Sequence, residues 1–237
     1  MSARTKQIMK KLREWSDSAI AAHSHRFFKT GKGEYGEGDR FLGIRVPTIR
    51  KCVREYRTIS LEDTLKLLKS PFHEARLLAL LILVAKYSSA NMEIEKEAVY
   101  RAYLSHTRFI NNWDLVDCSA EHIVGAHLFS RDRNLIYRLA RSKDLWERRI
   151  SIISTFHFIK KEDFPDTLAV AGLLLGDKED LIHKAVGWML REVGKRDRNV
   201  EERFLIKHYK EMPRTMLRYA IEKLPESEKL AYLHGTK

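Results

Sequence analysis

Asp117 is the residue of this chain whose setting best suits chemistry. It closes the segment NNWDLVD one helical turn after Trp113, so on a helix the carboxylate and the indole share a face. Three further segments interrupt an apolar stripe in the same way. Trp146 and Arg149 stand in DLWERRISII, Lys184, Trp188 and Arg191 in HKAVGWMLRE, and Arg214 and Arg218 in PRTMLRYAIE. Indole faces attract cations, more strongly where water is excluded. A carboxylate at the same place stabilises positive charge that develops on a bound group. These residue types at these spacings point to a flat, cationic ligand. The plainer reading is structural: an acid between bases is first of all a ladder of salt bridges, and a lone Trp is more often core than site.

Other polar residues carry less. Asp114 points about 100° away from Trp113 on a helix and reads as a cap or a helix-terminal charge. His23 and His25 form an H-x-H pair that no Cys or acidic cluster completes, so no metal is expected. Cys118 has no basic partner at a recognisable spacing and reads as a small buried thiol. Trp15 and Trp146 read as packing residues. The loop GKGEYGEG could bring backbone amides to a phosphate, yet it matches no Walker or dinucleotide motif, and a flexible connection is the favoured reading.

The elements that must position these residues are helices. Period-2 alternation is absent over any useful length. An amphipathic start is expected over 4–22, then a Gly-rich loop over 29–46. Pro47 opens a helix to about Tyr56, and Ser60 caps a short one over Leu61–Leu68. Further helices are expected near 72–87, 92–105, 113–127, 132–141, 145–160, 165–175, 179–195, 199–210 and 214–223. Ser142, Asp144, Asp177 and Asp180 supply cap chemistry at the junctions.

The helices also repeat. A basic residue followed by about four apolar turns recurs with anchors Arg76, Arg149, Lys184 and Arg218. The last three are 35 and 34 residues apart, and Asp117 stands 32 before Arg149 in the same place of its own repeat. A period in the mid-thirties with two helices per unit predicts an all-α solenoid of helical repeats with one concave wall. The expectation is a single domain over 1–237, with N-terminal helices and the Gly-rich loop over 1–46 and repeats over about 47–225. Asp117, Arg149 and Lys184 are then expected to be neighbours.

Composition narrows the partners. The 237 residues are 44% hydrophobic and carry a net charge of +12, with a pI near 9.7. A protein this basic meets nucleic acid, an anionic membrane or an acidic partner. The excess is uneven: residues 1–57 hold 14 basic and 6 acidic side chains, a net of +8. Two distant cysteines make no disulfide framework and favour a reducing cytoplasm. The N-terminal segment lacks the apolar run of a signal peptide, and LLALLILVA at 77–85 is too short to span a bilayer. A base alkylated at N3 or N7 is flat, cationic and attached to a polyanion. Its charge already weakens the glycosidic bond, so a carboxylate that stabilises an oxocarbenium-like sugar and positions water would complete the chemistry.

FLGIRVP at 41–47, NNWDLVD at 111–117, LWERRI at 145–150 and HKAVGWMLRE at 183–192 resemble the AlkD-type alkylpurine DNA glycosylases, bacterial DNA alkylation repair proteins built of HEAT-like repeats. The resemblance runs from about residue 20 to 225. It implies hydrolytic release of 3-methyladenine and 7-methylguanine from double-stranded DNA, with no metal, no cofactor and no lyase step, by a cytoplasmic monomer that meets the nucleoid through its substrate. Asp117 then matches the catalytic acid, Trp113 and Trp188 the cage tryptophans, and Arg149 the Arg beside the acid, with Arg148 the less favoured choice. Arg191 matches a DNA-contacting Arg. Apart from the resemblance, Lys184 reads as a DNA-backbone contact, while Arg214 and Arg218, and Arg45, Arg50, Lys51 and Arg54 on one helix and its entry, read either as an extension of the phosphate track or as solvated helix faces. Phe27, Phe28 and Tyr35 all remain candidates for a first-repeat aromatic. The alternative is a helical-repeat module that binds damaged or branched DNA without cutting it.

Overall fold

The amphipathic start expected over 4–22 is made of two helices. In the computed structural model, which describes residues 2–237, α1 (Ala3–Glu14) and α2 (Ser18–Phe27) part at Asp17. Asp17 takes an extended backbone and accepts from the amides of Ala19 and Ile20 at 2.8 and 3.0 Å, so it caps α2 where α1 would otherwise continue. The described residues contain no strand, only one isolated bridge between Arg40 and Phe72. None of their helices is long and apolar enough to cross a membrane.

The chain divides into two compact units, Met1–Ile123 and Val124–Lys237. In the first, α3 (Val46–Tyr56) starts with Pro47 in its first turn, and Ser60 caps α4 (Leu61–Leu68) through the Asp63 amide at 3.0 Å. The long α5 (His73–Ser89) is the unit's spine. It packs on α3, α4, α6 (Glu93–Leu104) and α7 (Trp113–Asp117), while α1 packs on α4. Leu78, Leu80, Ile82 and Leu83 are fully buried along it. Each such side chain removed from water stabilises by roughly 1.5–3 kcal/mol.

The helix expected over 113–127 breaks after Asp117. Cys118 and Ser119 both return side-chain hydrogen bonds to Leu115 O, at 3.4 and 2.5 Å, and compete with the helical ladder. A π-turn at Glu121–Gly125 follows. In the second unit come α8 (Ala126–Leu128), α9 (Asn134–Ala140), α10 (Leu145–Ser154), α11 (Phe156–Ile159) and α12 (Pro165–Leu173). Asp144 caps α10, and Thr155 divides α10 from α11 where one helix over 145–160 was expected. The unit's spine is α13 (Asp180–Gly194), packed on α10, α12, α14 (Arg198–His208) and α15 (Arg214–Ala220). A final helix, α16 (Glu226–His234), ends at Gly235 with φ of 77° and lies beyond the repeats expected to stop near 225.

The four positions aligned by the sequence period fall alike in their own helices. Asp117, Arg149, Lys184 and Arg218 are each the fifth residue of α7, α10, α13 and α15. Within the second unit α13 packs on both α10 and α15.

Candidate functional site

A helix of five residues cannot hold its own orientation, so α7 depends on what grips its ends. Asn112 is fully buried and caps it, accepting from the Trp113 amide at 2.9 Å. The Asn112 amide group donates to Asp39 at 3.4 Å. Asp114 meets His73 Nε2 at 2.8 Å, and His73 Nδ1 meets Asp39 at 2.9 Å. Arg76 donates to the other Asp39 oxygen at 2.6 Å. One network therefore ties α7 to the start of α5 and to the loop that carries Asp39.

The network is charged. Burial disfavours the His73 imidazolium, but hydrogen bonds to Asp114 and Asp39 outweigh it and raise the pKa to about 9. Burial also works against the Asp39 carboxylate, yet His73 and Arg76 hold it below the ordinary carboxylate range. Two cations and two carboxylates thus balance in a region where an unpaired charge would be costly.

Aromatic rings cover this network. Phe28 stacks on Phe41 at 5.1 Å and on Trp113 at 5.5 Å, and Phe41 stacks on His73 at 4.7 Å. Phe27 meets the Trp113 ring edge-on at 6.0 Å and is 56% exposed. Of the three first-repeat aromatics, Phe27 and Phe28 reach Trp113. Tyr35 instead directs its hydroxyl to the Phe27 carbonyl at 3.5 Å. Trp113 is half-buried, and Asp117, one turn on, is half-buried too. The first unit thus presents an open aromatic group and a carboxylate on one short helix.

The neighbouring motifs explain themselves locally. In FLGIRVP the amides of Leu42, Gly43 and Ile44 all donate to the buried Glu74 carboxylate, at 2.9, 2.8 and 3.2 Å. Gly43 has a φ of 81°, and a Cβ there would lie 2.0 Å from Asp17 O, so only glycine fits. The loop over 31–38 is no open phosphate cradle. Its Gly31 and Gly33 amides are already taken by Glu34 and Glu37 at 2.7 and 2.8 Å. Burial pushes the Cys118 thiol far above its usual range, which leaves it unreactive. His25 bonds Thr30 at 3.0 Å, and no metal-binding cluster exists among the described residues.

The cations divide into tied and open. In the second unit Arg149 is 5% exposed and donates to Leu181 O, bracing α10 against the start of α13. Arg148 is occupied by Asp177 at 2.6 Å and by the carbonyls of Ser142 and Lys143. Lys184 pairs with Asp180 at 2.6 Å, Arg191 with Glu222, and Arg214 donates to Leu233 O at 2.8 Å. Trp188 packs its ring against Phe156 at 5.7 Å and is half-buried. Arg218 on α15, and Arg50 and Lys51 on α3 of the first unit, are exposed and make no ion pair among the described residues.

Sequence reasoning missed Asp39 and His73. The HEAR run at the head of the most apolar helix held the one signal, since a His and a Glu buried beside Arg76 need partners. Most of those partners lie in a loop thirty or more residues earlier, and Asp114 lies 41 residues later, so no local period reveals them.

A family model of DNA alkylation repair enzymes matches residues 8–224. Among solved structures the chain is similar to one described as a predicted DNA alkylation repair enzyme from Enterococcus faecalis, with a TM-score of 0.67 and 16% identity. The match covers 89% of this chain and 97% of that one. No curated protein matches.

Proposed function

The chain belongs to the DNA alkylation repair enzyme family, and on that premise we propose that it is a monofunctional glycosylase of the AlkD type, releasing cationic alkylated purines from double-stranded DNA as a monomer. The observation that carries this reading is the pairing on α7: Trp113, stacked on Phe28 and edged by exposed Phe27, one turn from Asp117. A phosphate-binding scaffold needs neither. A cationic base is attracted by the ring faces, by about 0.5–2 kcal/mol per good contact. The glycosidic bond then breaks toward the purine, which leaves as a neutral base once its extra charge is discharged. Asp117 stabilises the oxocarbenium left on the sugar and orients the water that adds to it, taking the proton that the water gives up and passing it to solvent.

Asp114, Asn112 and His73 act on this helix as positioning groups. For Trp188 the role of a second cage indole, and for Arg149 that of the family's supporting Arg, are what the resemblance to the AlkD-type proteins implies; within the second unit Trp188 packs on Phe156 and Arg149 donates to Leu181 O. Its burial favours bracing over phosphate contact for Arg149. Among the cations singled out from the sequence, Arg50, Lys51 and Arg218 are open and suited to phosphates, and Lys184, Arg191, Arg148 and Arg214 would have to exchange present partners to join them.

The test is incubation of the protein with methylated duplex DNA and chromatography of the released bases. Free 3-methyladenine or 7-methylguanine is the expected product. Tight, salt-sensitive DNA binding with no base release would replace the reading by a non-catalytic damage-binding module.

A further inference from the structure

The basic excess of the N-terminal quarter is not one surface. Arg50 and Lys51 stand on α3, whereas Lys6, Lys10 and Arg13 follow one another at i, i+4 and i+7 along α1. That stripe walls a groove of about 600 Å³ whose other side is the end of α4 and the chain leading into α5, with Lys69 on its rim. Met9, 6% exposed, and Phe72 supply an apolar floor. The volume falls in the range of ligand pockets, roughly 300–1,000 Å³, and the groove is open to solvent along one side.

Lys6, Lys10, Arg13 and Lys69 are exposed, and none makes an ion pair among the described residues. Lys66, on the same rim, is instead tied to Glu62 at 2.7 Å, and Glu14 is the acid among the lining residues. None of the lining residues comes from α3 or α7.

Four unpaired cations around one groove repel one another until an anion answers them. Lys6 and Arg13 are seven residues apart on a helix, roughly 10 Å. A single carboxylate cannot answer cations spread over that distance, but a chain carrying several acids can. A duplex backbone would supply the charge and leave Met9 and Phe72 unmatched. Acids interspersed with leucine or phenylalanine satisfy both the rim and the floor. We propose that the groove between α1 and α4 docks an acidic peptide segment of a partner protein, with apolar side chains between its acids.

The experiment titrates the 237-residue protein into a fluorescein-labelled octapeptide alternating aspartate with leucine and phenylalanine, at low salt, and reads anisotropy. Saturable binding is expected. The Lys10→Glu/Lys69→Glu double variant weakens it by about tenfold or more. Affinity for an undamaged duplex oligonucleotide changes less than about twofold, and the unfolding midpoint holds because both positions are exposed. Lys6→Gln/Arg13→Gln, on the α1 wall alone, gives the same direction of loss. The proposal is overturned by absence of saturable binding, by equal binding of a peptide with asparagine in place of aspartate, or by full peptide affinity in both variants. Loss of DNA affinity in step with peptide affinity also overturns it and makes the groove a phosphate track.

Discussion

His73 is charged inside the protein because two carboxylates reach it at once. Its folded-state pKa of about 9 lies above the ordinary histidine value of 6.5. The stabilisation is therefore fully present below about pH 6.5 and is lost as the pH rises through 9. Over that window the first unit should lose stability on the order of a few kcal/mol, since a tenfold change in proton affinity is worth about 1.4 kcal/mol. Urea unfolding at pH 6 and pH 9.5, followed by the fluorescence of Trp113 and its neighbours, measures it. His73→Gln should flatten the difference, and an equally steep pH dependence in that variant would assign the effect elsewhere. Asp39 acts in the opposite direction: its stabilisation is present near neutrality and lost as the pH falls through the acid range. At this scale the sequence was half legible. Asp117, Trp113, Trp188 and Arg149 stand out by type and spacing as candidates, and the resemblance ranks them; base release by their variants tests that ranking. The His73 network does not, because its members come from a loop, a helix start and a second helix start that fold together only in three dimensions. Asp114 shows the cost of reading one helix alone, since its partner is neither a backbone amide nor solvent but an imidazole on α5.

Helix packing explains the glycine of GWMLRE. A Cβ on Gly187 would lie 2.4 Å from Met216 O and 2.5 Å from Tyr219 Cβ, so α13 and α15 approach through that position. On an exposed helix Gly→Ala would stabilise by roughly 1 kcal/mol. Here the overlap with backbone dominates, and Gly187→Ala should destabilise by about 1–3 kcal/mol. Thermal unfolding of the variant measures the sign, and a raised midpoint would mean that the helices separate without cost. The elements themselves were well legible where a cap residue stands at a boundary, as at Ser60 and Asp144. They were misread where side chains return hydrogen bonds to the helix. Ser119 and Thr155 end helices that the apolar period alone would run through. Asp17 splits the first helix for the same kind of reason, a local polar group overriding periodicity. The last helix, α16, was missed because its apolar residues are few and the repeat had already ended.

Across the whole molecule, a net charge of +12 sets how affinity for a polyanion responds to salt. Arg50 and Lys51 are open, so replacing both by glutamine should lower the slope of log affinity against log salt by about 2, with little dependence on sequence. Filter binding or anisotropy on one duplex between low and moderate salt reads that slope, and an unchanged slope would remove α3 from the DNA contact. The open and tied cations were not separable from sequence, because an ion pair such as Arg148 with Asp177 joins residues 29 apart. The catalytic claim rests on one carboxylate, and it is tested most directly by single-turnover release of 7-methylguanine from methylated duplex DNA by the wild type and by Asp117→Asn. The substitution keeps the size of the side chain and removes its charge. The variant's rate should be lower by about 100-fold or more at unchanged DNA affinity. Equal rates of base release from the two proteins would contradict it.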